Sequence, residues 1–174
     1  RINISEDTYN VVHNFFECEN RGKMTVKNGK QLVMYFVKGI RPELSENGEG
    51  KKPNALFHTR YQQLHFSDLS EYIFDWLEKK LPKDLYYHNT RHTQDVVIQV
   101  EIIGRAEGVT EEELLILQTA ALLHDSGHVI SYAEHERVGV DMAFQTLPNF
   151  GYSHSQIEQV GRLIMATKMP VHPT

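Results

Sequence analysis

The hydrophobic positions of the chain follow two patterns, short β-rich runs in the first forty residues and helical spacing in the second part. The runs KMTVK (23–27) and QLVMYFV (31–37) lie on either side of Asn28 and Gly29. Asn-Gly between two such runs is a strong short-range signal for a β-hairpin. The first part of the chain therefore predicts one hairpin.

Two further segments flank this hairpin. In residues 2–16, Ser5 precedes acidic residues and then apolar positions at helical spacing, which predicts a short amphipathic helix. Residues 41–54 combine Pro, Gly, Ser and charge without apolar periodicity, which predicts a flexible linker. One helix and one hairpin bury too little surface to be stable alone.

From Ala55 onward the spacing is helical, and no alternating run occurs. Capping-box spacing at Thr110 and Glu113, and again at Ser153 and Gln156, marks two helix starts. The fold class predicted is mainly α, a helical bundle with a small N-terminal helix and β-hairpin element. The predicted bundle helices are Ser67 to about Pro82, His88 to about Glu107, 110–125, Glu134 to about Leu147, and one opened by Ser153. The second has a predicted inner face of Val96, Val97, Val100, Ile103 and Gly104.

Composition excludes several classes of protein. The 174 residues carry a net charge of −5, so no basic field exists for nucleic acid. No apolar run approaches the roughly 18 residues of a membrane span, and no signal-peptide layout opens the chain. Cys18 is the single cysteine, which excludes an intrachain disulfide and favours a cytoplasmic location. Arg1 and Thr174 give no sign of a natural start or finished end, so we expect a piece of a longer polypeptide.

Histidine is abundant, and its distribution predicts a metal site. On a helix, His88 and His92 would share one face at i and i+4. The apolar helix 110–125 ends in His124 and Asp125, which adds an imidazole and a carboxylate from a rigid support. Such mixed sites favour Mg, Mn, Fe or Zn, and an Asp that bridges two cations would allow two metal ions. The alternative is a set of ordinary hydrogen-bonded polar residues at helix ends.

Two motifs carry a family resemblance. YHNTRHTQDV (87–96) followed by HDSGH (124–128) resembles the H…HD signature of HD-superfamily metal-dependent phosphohydrolases. Within that superfamily it is most similar to the YHNxxHxxDV and HDxxH motifs of class I cyclic-nucleotide phosphodiesterases. The resemblance runs from about Ala55 to the end of the chain and implies an HD-type helical bundle.

The resemblance implies roles for individual residues. His92, His124 and Asp125 match the metal ligands, with Asp125 as the bridging carboxylate. His88 matches the histidine that protonates the leaving oxygen, so His88 and Asp125 are the predicted catalytic residues. Four residues are assigned by the resemblance to a second metal or to its surroundings: His128, Asp95, Glu134 and His135. Glu136 is a weaker candidate for the same place.

One position departs from the animal-type phosphodiesterases. The stretch ATKMP (166–170) carries Lys168 where they have the Asp that completes the metal set. A bacterial branch of the superfamily resembles this form and supplies an Asp further downstream, which here would lie beyond Thr174. The other interpretation is a site that has lost its activity.

The N-terminal part has a resemblance of its own. RINISEDTY (1–9), Arg21-Gly22-Lys23 and YFVKG (35–39) resemble the C-terminal end of a class III adenylate/guanylate cyclase domain. The predicted organisation is therefore a cyclase remnant at 1–40, a linker at 41–54 and an HD phosphohydrolase domain at 55–174. The cyclase metal and base-selecting residues would lie upstream of Arg1, so this piece cannot cyclise a nucleotide. Cyclase domains often pair, which makes a homodimer an expectation.

The function expected from these resemblances is metal-dependent hydrolysis of a phosphate ester. A nucleotide-type substrate is expected, and a cyclic nucleotide is favoured because the YHN motif and the cyclase-like end occur in one chain. Two alternatives stay open. One is a nucleotide or metabolite phosphomonoesterase, and the other is a non-catalytic metal- or nucleotide-binding module that regulates a cyclase.

Overall fold

Three antiparallel strands and a short helix form the first part of the chain. The computed structural model describes residues 1–26, 29–82 and 88–169. Strands β1 (Ile2–Ser5), β2 (Phe16–Thr25) and β3 (Gln31–Ile40) pair in the order β1-β3-β2. Helix α1 (Glu6–Val12) follows β1 directly. The predicted hairpin is confirmed as β2 and β3, although Asn28 of its turn lies outside the described residues.

The helix predicted over residues 2–16 is shorter than expected. Ser5 is its N-cap as predicted, because the Ser5 hydroxyl accepts a hydrogen bond from the Thr8 N–H at 3.3 Å. The residues before it are a strand, since Ile2 lies opposite Val37 in the register of β1 and β3. At the other end, Phe16 already belongs to β2.

Residues 41–54 are folded, whereas the sequence predicted a flexible linker. Two 3-10 turns, Pro42–Leu44 and Glu46–Gly48, are followed by a bridge between Ser45 and Pro53. Leu44 is fully buried and packs with Phe15 and Ile40. A single apolar side chain in a polar stretch thus anchors the segment, because its burial is favourable.

Residue contacts divide the chain into two compact units, 1–60 and 61–174. The predicted division into a cyclase remnant, a linker and an HD domain remains a prediction.

Five longer helices, joined by loops and short 3-10 turns, form the rest of the described chain. Helix α2 is continuous, so Ser67 lies inside it and does not cap a new helix; the Ser67 hydroxyl lies 3.5 Å from the Leu64 carbonyl oxygen. The prediction of a mainly α fold is confirmed. The helices are α2 (Ala55–Lys80), α3 (Thr90–Glu107), α4 (Glu111–Leu123), α5 (His135–Thr146) and α6 (His154–Ala166).

Helix α4 lies in the centre of the second unit. Its side chains Leu115, Leu122 and Leu123 are fully buried, and they pack with apolar residues of α2, α5 and α6. Both predicted capping boxes are present, at the starts of α4 and α6. The predicted inner face of α3 is partly wrong, because Ile103 is 57% exposed and the buried Thr93 was not predicted. The predicted burial of Gly104 is confirmed.

None of the helices in the described part of the chain is both long and apolar enough to cross a membrane.

Candidate metal centre

Helix α4 ends at the point where the metal site was predicted. His124 is the last residue with helical geometry, and Asp125 turns out of the helix at φ −101°, ψ 1° into a 3-10 turn, Ser126–Val129. The change of backbone direction lets two sequence neighbours contribute to one site. Asp125 is buried, so its carboxylate is held in a fixed position by the surrounding chain.

A glycine brings the start of α5 against this turn. A Cβ added at Gly127 would overlap the backbone carbonyl of His135, so no larger residue fits there without a shift of the backbone. The close approach stacks the rings of His128 and His135, with centroids 3.8 Å apart and planes 16° from parallel. Sequence reasoning missed Gly127, and the signal available was a glycine between the two histidines of HDSGH.

His88 and His92 converge by a different route from the one predicted. Asn89 is the N-cap of α3, and its side-chain oxygen accepts a hydrogen bond from the His92 N–H at 3.0 Å. Helix α3 therefore begins at Thr90, and His88 precedes it. The two histidines do not share a helical face, yet their ring centroids are 6.0 Å apart because the chain turns at the cap.

The Asp125 carboxylate is the hub of the site, and its two oxygens face different histidines. Oδ2 lies 2.7 Å from His88 Nδ1, 3.1 Å from His124 Nε2 and 3.6 Å from His92 Nε2. Oδ1 lies 3.7 Å from His128 Nε2 and 4.0 Å from His135 Nε2. Segments from α3, the end of α4 and the start of α5 thus meet at one carboxylate.

Backbone carbonyls determine the tautomers of two of these rings. His124 Nδ1 lies 2.8 Å from the Ala121 carbonyl oxygen, and His135 Nδ1 lies 3.0 Å from that of Tyr132. A carbonyl oxygen can only accept, so Nδ1 carries the proton in both rings. In the neutral rings Nε2 is then an acceptor, and it faces the acceptor oxygens of Asp125. A divalent cation held by both groups removes this conflict, and so does a proton on the ring.

His128 adds a second observation that fits a metal. Its side chain is 1% exposed, and neither ring nitrogen has a hydrogen-bond partner within the part of the chain that the structure describes. An unpartnered buried nitrogen is costly, on the order of 1–3 kcal/mol. Coordination would satisfy it, and a mixed set of imidazole and carboxylate donors suits Mg, Mn, Fe or Zn.

The electrostatics favour the ligand-competent states of most groups. Burial alone would raise the pKa of Asp125, but hydrogen bonds and charge from His124 and His88 outweigh it and hold that pKa well below its usual range. Burial lowers the pKa of His92, and burial together with His135 lowers that of His128 to about 4. An ionised carboxylate and neutral imidazoles are the forms that bind metals.

His124 behaves in the opposite way. Burial lowers its pKa, but the hydrogen bond and charge of Asp125 raise the pKa above its ordinary value overall. In the metal-free chain a proton on His124 can therefore satisfy the contact with Asp125.

The donor atoms form two groups that could each hold a cation. His92, His124 and Asp125 make one group, and His88, Asp125 and His128 make the other. The first is the predicted ligand set, brought together from α3 and the end of α4. The second includes His88, which the sequence assigned to proton transfer, so this residue has two candidate roles.

The remaining predicted residues lie in different surroundings. Asp95 is exposed on α3, one turn after His92, and Glu134 is exposed at the cap of α5 with Arg137 4.0 Å away. Neither belongs to a ligand group among the described residues. Glu136 is buried instead, as Asp125 is, and its Oε1 lies 3.4 Å from His135 Nε2. The sequence treated it as a minor candidate.

The fold and the site together define a helical domain with a histidine–aspartate cluster that could hold a metal ion, the class of site that metal-dependent hydrolases use. Residues 90–167, slightly less than half of the chain, match the family model described as HD domain. HD domains are metal-dependent phosphohydrolases as a class, so the match supports metal binding and phosphate-ester hydrolysis. Neither the curated proteins nor the solved structures contain a match to this chain.

The matched region begins two residues after His88. It contains His92, His124, Asp125, His128 and His135, but the role of His88 does not follow from it.

Proposed function

We propose that the chain hydrolyses a phosphate ester with the help of two divalent metal ions held on either side of Asp125. The single observation that carries this proposal is the shared carboxylate. Asp125 Oδ2 lies within 4 Å of the His92 and His124 Nε2 atoms, and Oδ1 faces those of His128 and His135. A carboxylate shared between two sets of imidazoles supports a two-metal site, in which a pair of cations would stabilise the attacking and leaving oxygens of a phosphate ester.

The chemistry supplied by bound ions would be activation of a water molecule and neutralisation of phosphate charge. The protein's own contribution is to fix the donors. Asp125 is rigid because it ends a buried helix, and His124 is oriented by its Nδ1 hydrogen bond to the Ala121 carbonyl. His92 is held in the first turn of α3 by the Asn89 cap.

His88 is proposed as the proton donor to the leaving oxygen. Its side chain is 27% exposed, more than those of the other histidines around Asp125, so a substrate can approach it. The 2.7 Å hydrogen bond from Nδ1 to Asp125 orients the ring beside the ligand groups. General acid catalysis requires such a positioned group within hydrogen-bond reach of the reacting phosphate.

A cyclic nucleotide is the proposed substrate within the phosphate esters. The support comes from the sequence YHN at 87–89 and from the cyclase-like segment at the start of the chain. Both are resemblances, so the assay has to include competing substrates. A cyclase domain that ended in this segment would place synthesis and breakdown of the nucleotide in one polypeptide.

The experiment is a substrate panel on the full-length natural polypeptide loaded with Mn²⁺ or Mg²⁺. The panel contains cAMP, cGMP, nucleoside monophosphates and ribose 5-phosphate, and the readouts are ring opening and phosphate release. Ring opening that is lost on chelation supports the phosphodiesterase. Phosphate release from monophosphates alone moves the assignment to a phosphomonoesterase, and nucleotide binding without turnover moves it to a regulatory module.

A further inference from the structure

The loop between the Ser126–Val129 turn and α5 places two large apolar side chains in solvent. Ile130 is 71% exposed and Tyr132 is 69% exposed. Exposed apolar side chains that occur singly are ordinary. These two lie within three residues of each other and next to the metal ligands, which is where a substrate must bind.

The loop is anchored at both ends. The N–H groups of Ile130 and Ser131 donate to the Gly127 carbonyl at 2.9 and 3.0 Å. At the other end, His135 Nδ1 donates to the Tyr132 carbonyl at 3.0 Å. The Tyr132 backbone is therefore hydrogen-bonded to His135, which itself lies beside Asp125. The backbone position of Tyr132 is thus fixed before any ligand binds.

The Tyr132 ring lies directly beside His128 of the candidate metal centre. Its centroid is 5.2 Å from that of His128, with the planes tilted by 46°. The His128 ring is buried, and its centroid is 4.4 Å from that of His88. The His128 ring therefore lies between Tyr132 and His88, the proposed proton donor. A nucleoside phosphate is long enough to place its phosphate at His88 and its base at Tyr132.

We propose that Tyr132 is a specificity residue that stacks on the nucleobase, or on another planar aromatic group, of the phosphate ester bound at Asp125. An exposed flat ring beside a polar centre offers a stacking surface at low entropic cost. Ile130 extends the same apolar surface. This inference rests on the proposed function and narrows it to esters that carry a planar aromatic group.

The test measures binding, so it does not depend on turnover. The ligands are two phosphonates, in which carbon replaces the bridging ester oxygen. One is the analogue of AMP, and the other is the analogue of ribose 5-phosphate, which has no base. Their affinities are measured by calorimetry with Mn²⁺ present for the wild type, Tyr132→Ala and Tyr132→Phe. Tyr72→Ala is the matched control, an exposed tyrosine of α2 that packs near Phe150.

We expect Tyr132→Ala to weaken binding of the AMP analogue by about tenfold, near the lower end of the effect of losing one base stack. Binding of the ribose analogue should change less than twofold, Tyr132→Phe should keep the wild-type affinities, and Tyr72→Ala should change nothing. The inference is overturned if the wild type binds both analogues equally or binds neither. An equal loss for both analogues in Tyr132→Ala, or no loss, overturns it as well.

Failure of this inference is distinguishable from failure of the proposed function. Metal-dependent opening of a cyclic nucleotide, or metal-dependent phosphate release from ribose 5-phosphate, would uphold a phosphohydrolase whether or not Tyr132 discriminates between the two analogues.

Discussion

His88 Nδ1 lies 2.7 Å from Asp125 Oδ2, although the two residues are 37 positions apart in the chain. The ionised carboxylate can only accept, so His88 Nδ1 donates this hydrogen bond. The same contact places His88 in a candidate ligand group with Asp125 and His128. Proton donor and metal ligand are therefore two roles that experiment can separate at this residue.

The substitution His88→Asn separates them, because the Asn amide nitrogen can replace Nδ1 as the donor to Asp125. We expect hydrolysis to fall about 10²–10⁴-fold, the usual contribution of a general acid, while metal content stays unchanged. Metal content is measured by mass spectrometry after dialysis, and kcat by ring opening or phosphate release, whichever the substrate panel shows for the wild type. His65→Asn, at an exposed histidine paired with Asp68, is the control. Loss of a metal ion from His88→Asn would instead make His88 a ligand.

Asp125→Asn should remove both metal ions. The amide has nearly the same shape, but it lacks the charge and cannot serve as a carboxylate shared between two cations. Elemental analysis should show two ions per wild-type chain and none in the variant. The increase in Tm on adding Mn²⁺, equivalent to about 2.7 kcal/mol at a hundredfold excess over Kd, should vanish as well. Asp141→Asn, an exposed acid on α5, should behave as the wild type does. Retention of one ion by Asp125→Asn would contradict the shared carboxylate.

Gly127→Ala should destabilise the second unit strongly. A Cβ at this position overlaps the His135 backbone, which has no flexible end that could move aside. Gly108→Ala is the comparison, because a Cβ there meets nothing within 4 Å and only the left-handed backbone, at φ 72°, is strained. In denaturant unfolding we expect the free energy of unfolding to fall by about 1 kcal/mol for Gly108→Ala and by about 3 kcal/mol or more for Gly127→Ala. Equal losses would mean that α5 can shift freely.

Stability above pH 9 should depend on Tyr152. Its hydroxyl donates to Thr119 Oγ1 at 2.8 Å, since Thr119 uses its own proton for the Leu115 carbonyl. Burial raises the pKa of Tyr152 from 10.0 to about 12. The unfolded chain releases this proton first, so the stability is intact below pH 10 and is lost as pH rises towards 12.

The expected loss between pH 9 and pH 11 is about 1 kcal/mol. Denaturant unfolding at the two pH values measures it, and Tyr152→Phe should remove this part of the slope although it lowers stability at pH 9. An identical slope in Tyr152→Phe would show that other groups cause the alkaline loss.

The features predicted correctly depend on residues close in sequence. The caps at Ser5, Thr110 and Ser153 each require only a side chain and a backbone N–H three residues later. The start of α3 was a local signal that was misread, since Asn89 is a better N-cap than the preceding His88. Strand β1 was missed for another reason, because its partner β3 lies about thirty residues downstream and sequence periodicity does not reveal pairing over that distance.

The sequence by itself determined the candidate donors: His124 and Asp125 at the end of a rigid apolar helix, and the pair His88 and His92. Only the tertiary structure decided which side chains converge. Successive helical residues point in directions about 100° apart, so neighbouring acids face different sides of a helix. The packing of α5 against the turn at Gly127 decides which side is buried, and it buries Glu136 and leaves Glu134 exposed. Distances between separate segments depend on packing, and packing is a property of the whole folded unit.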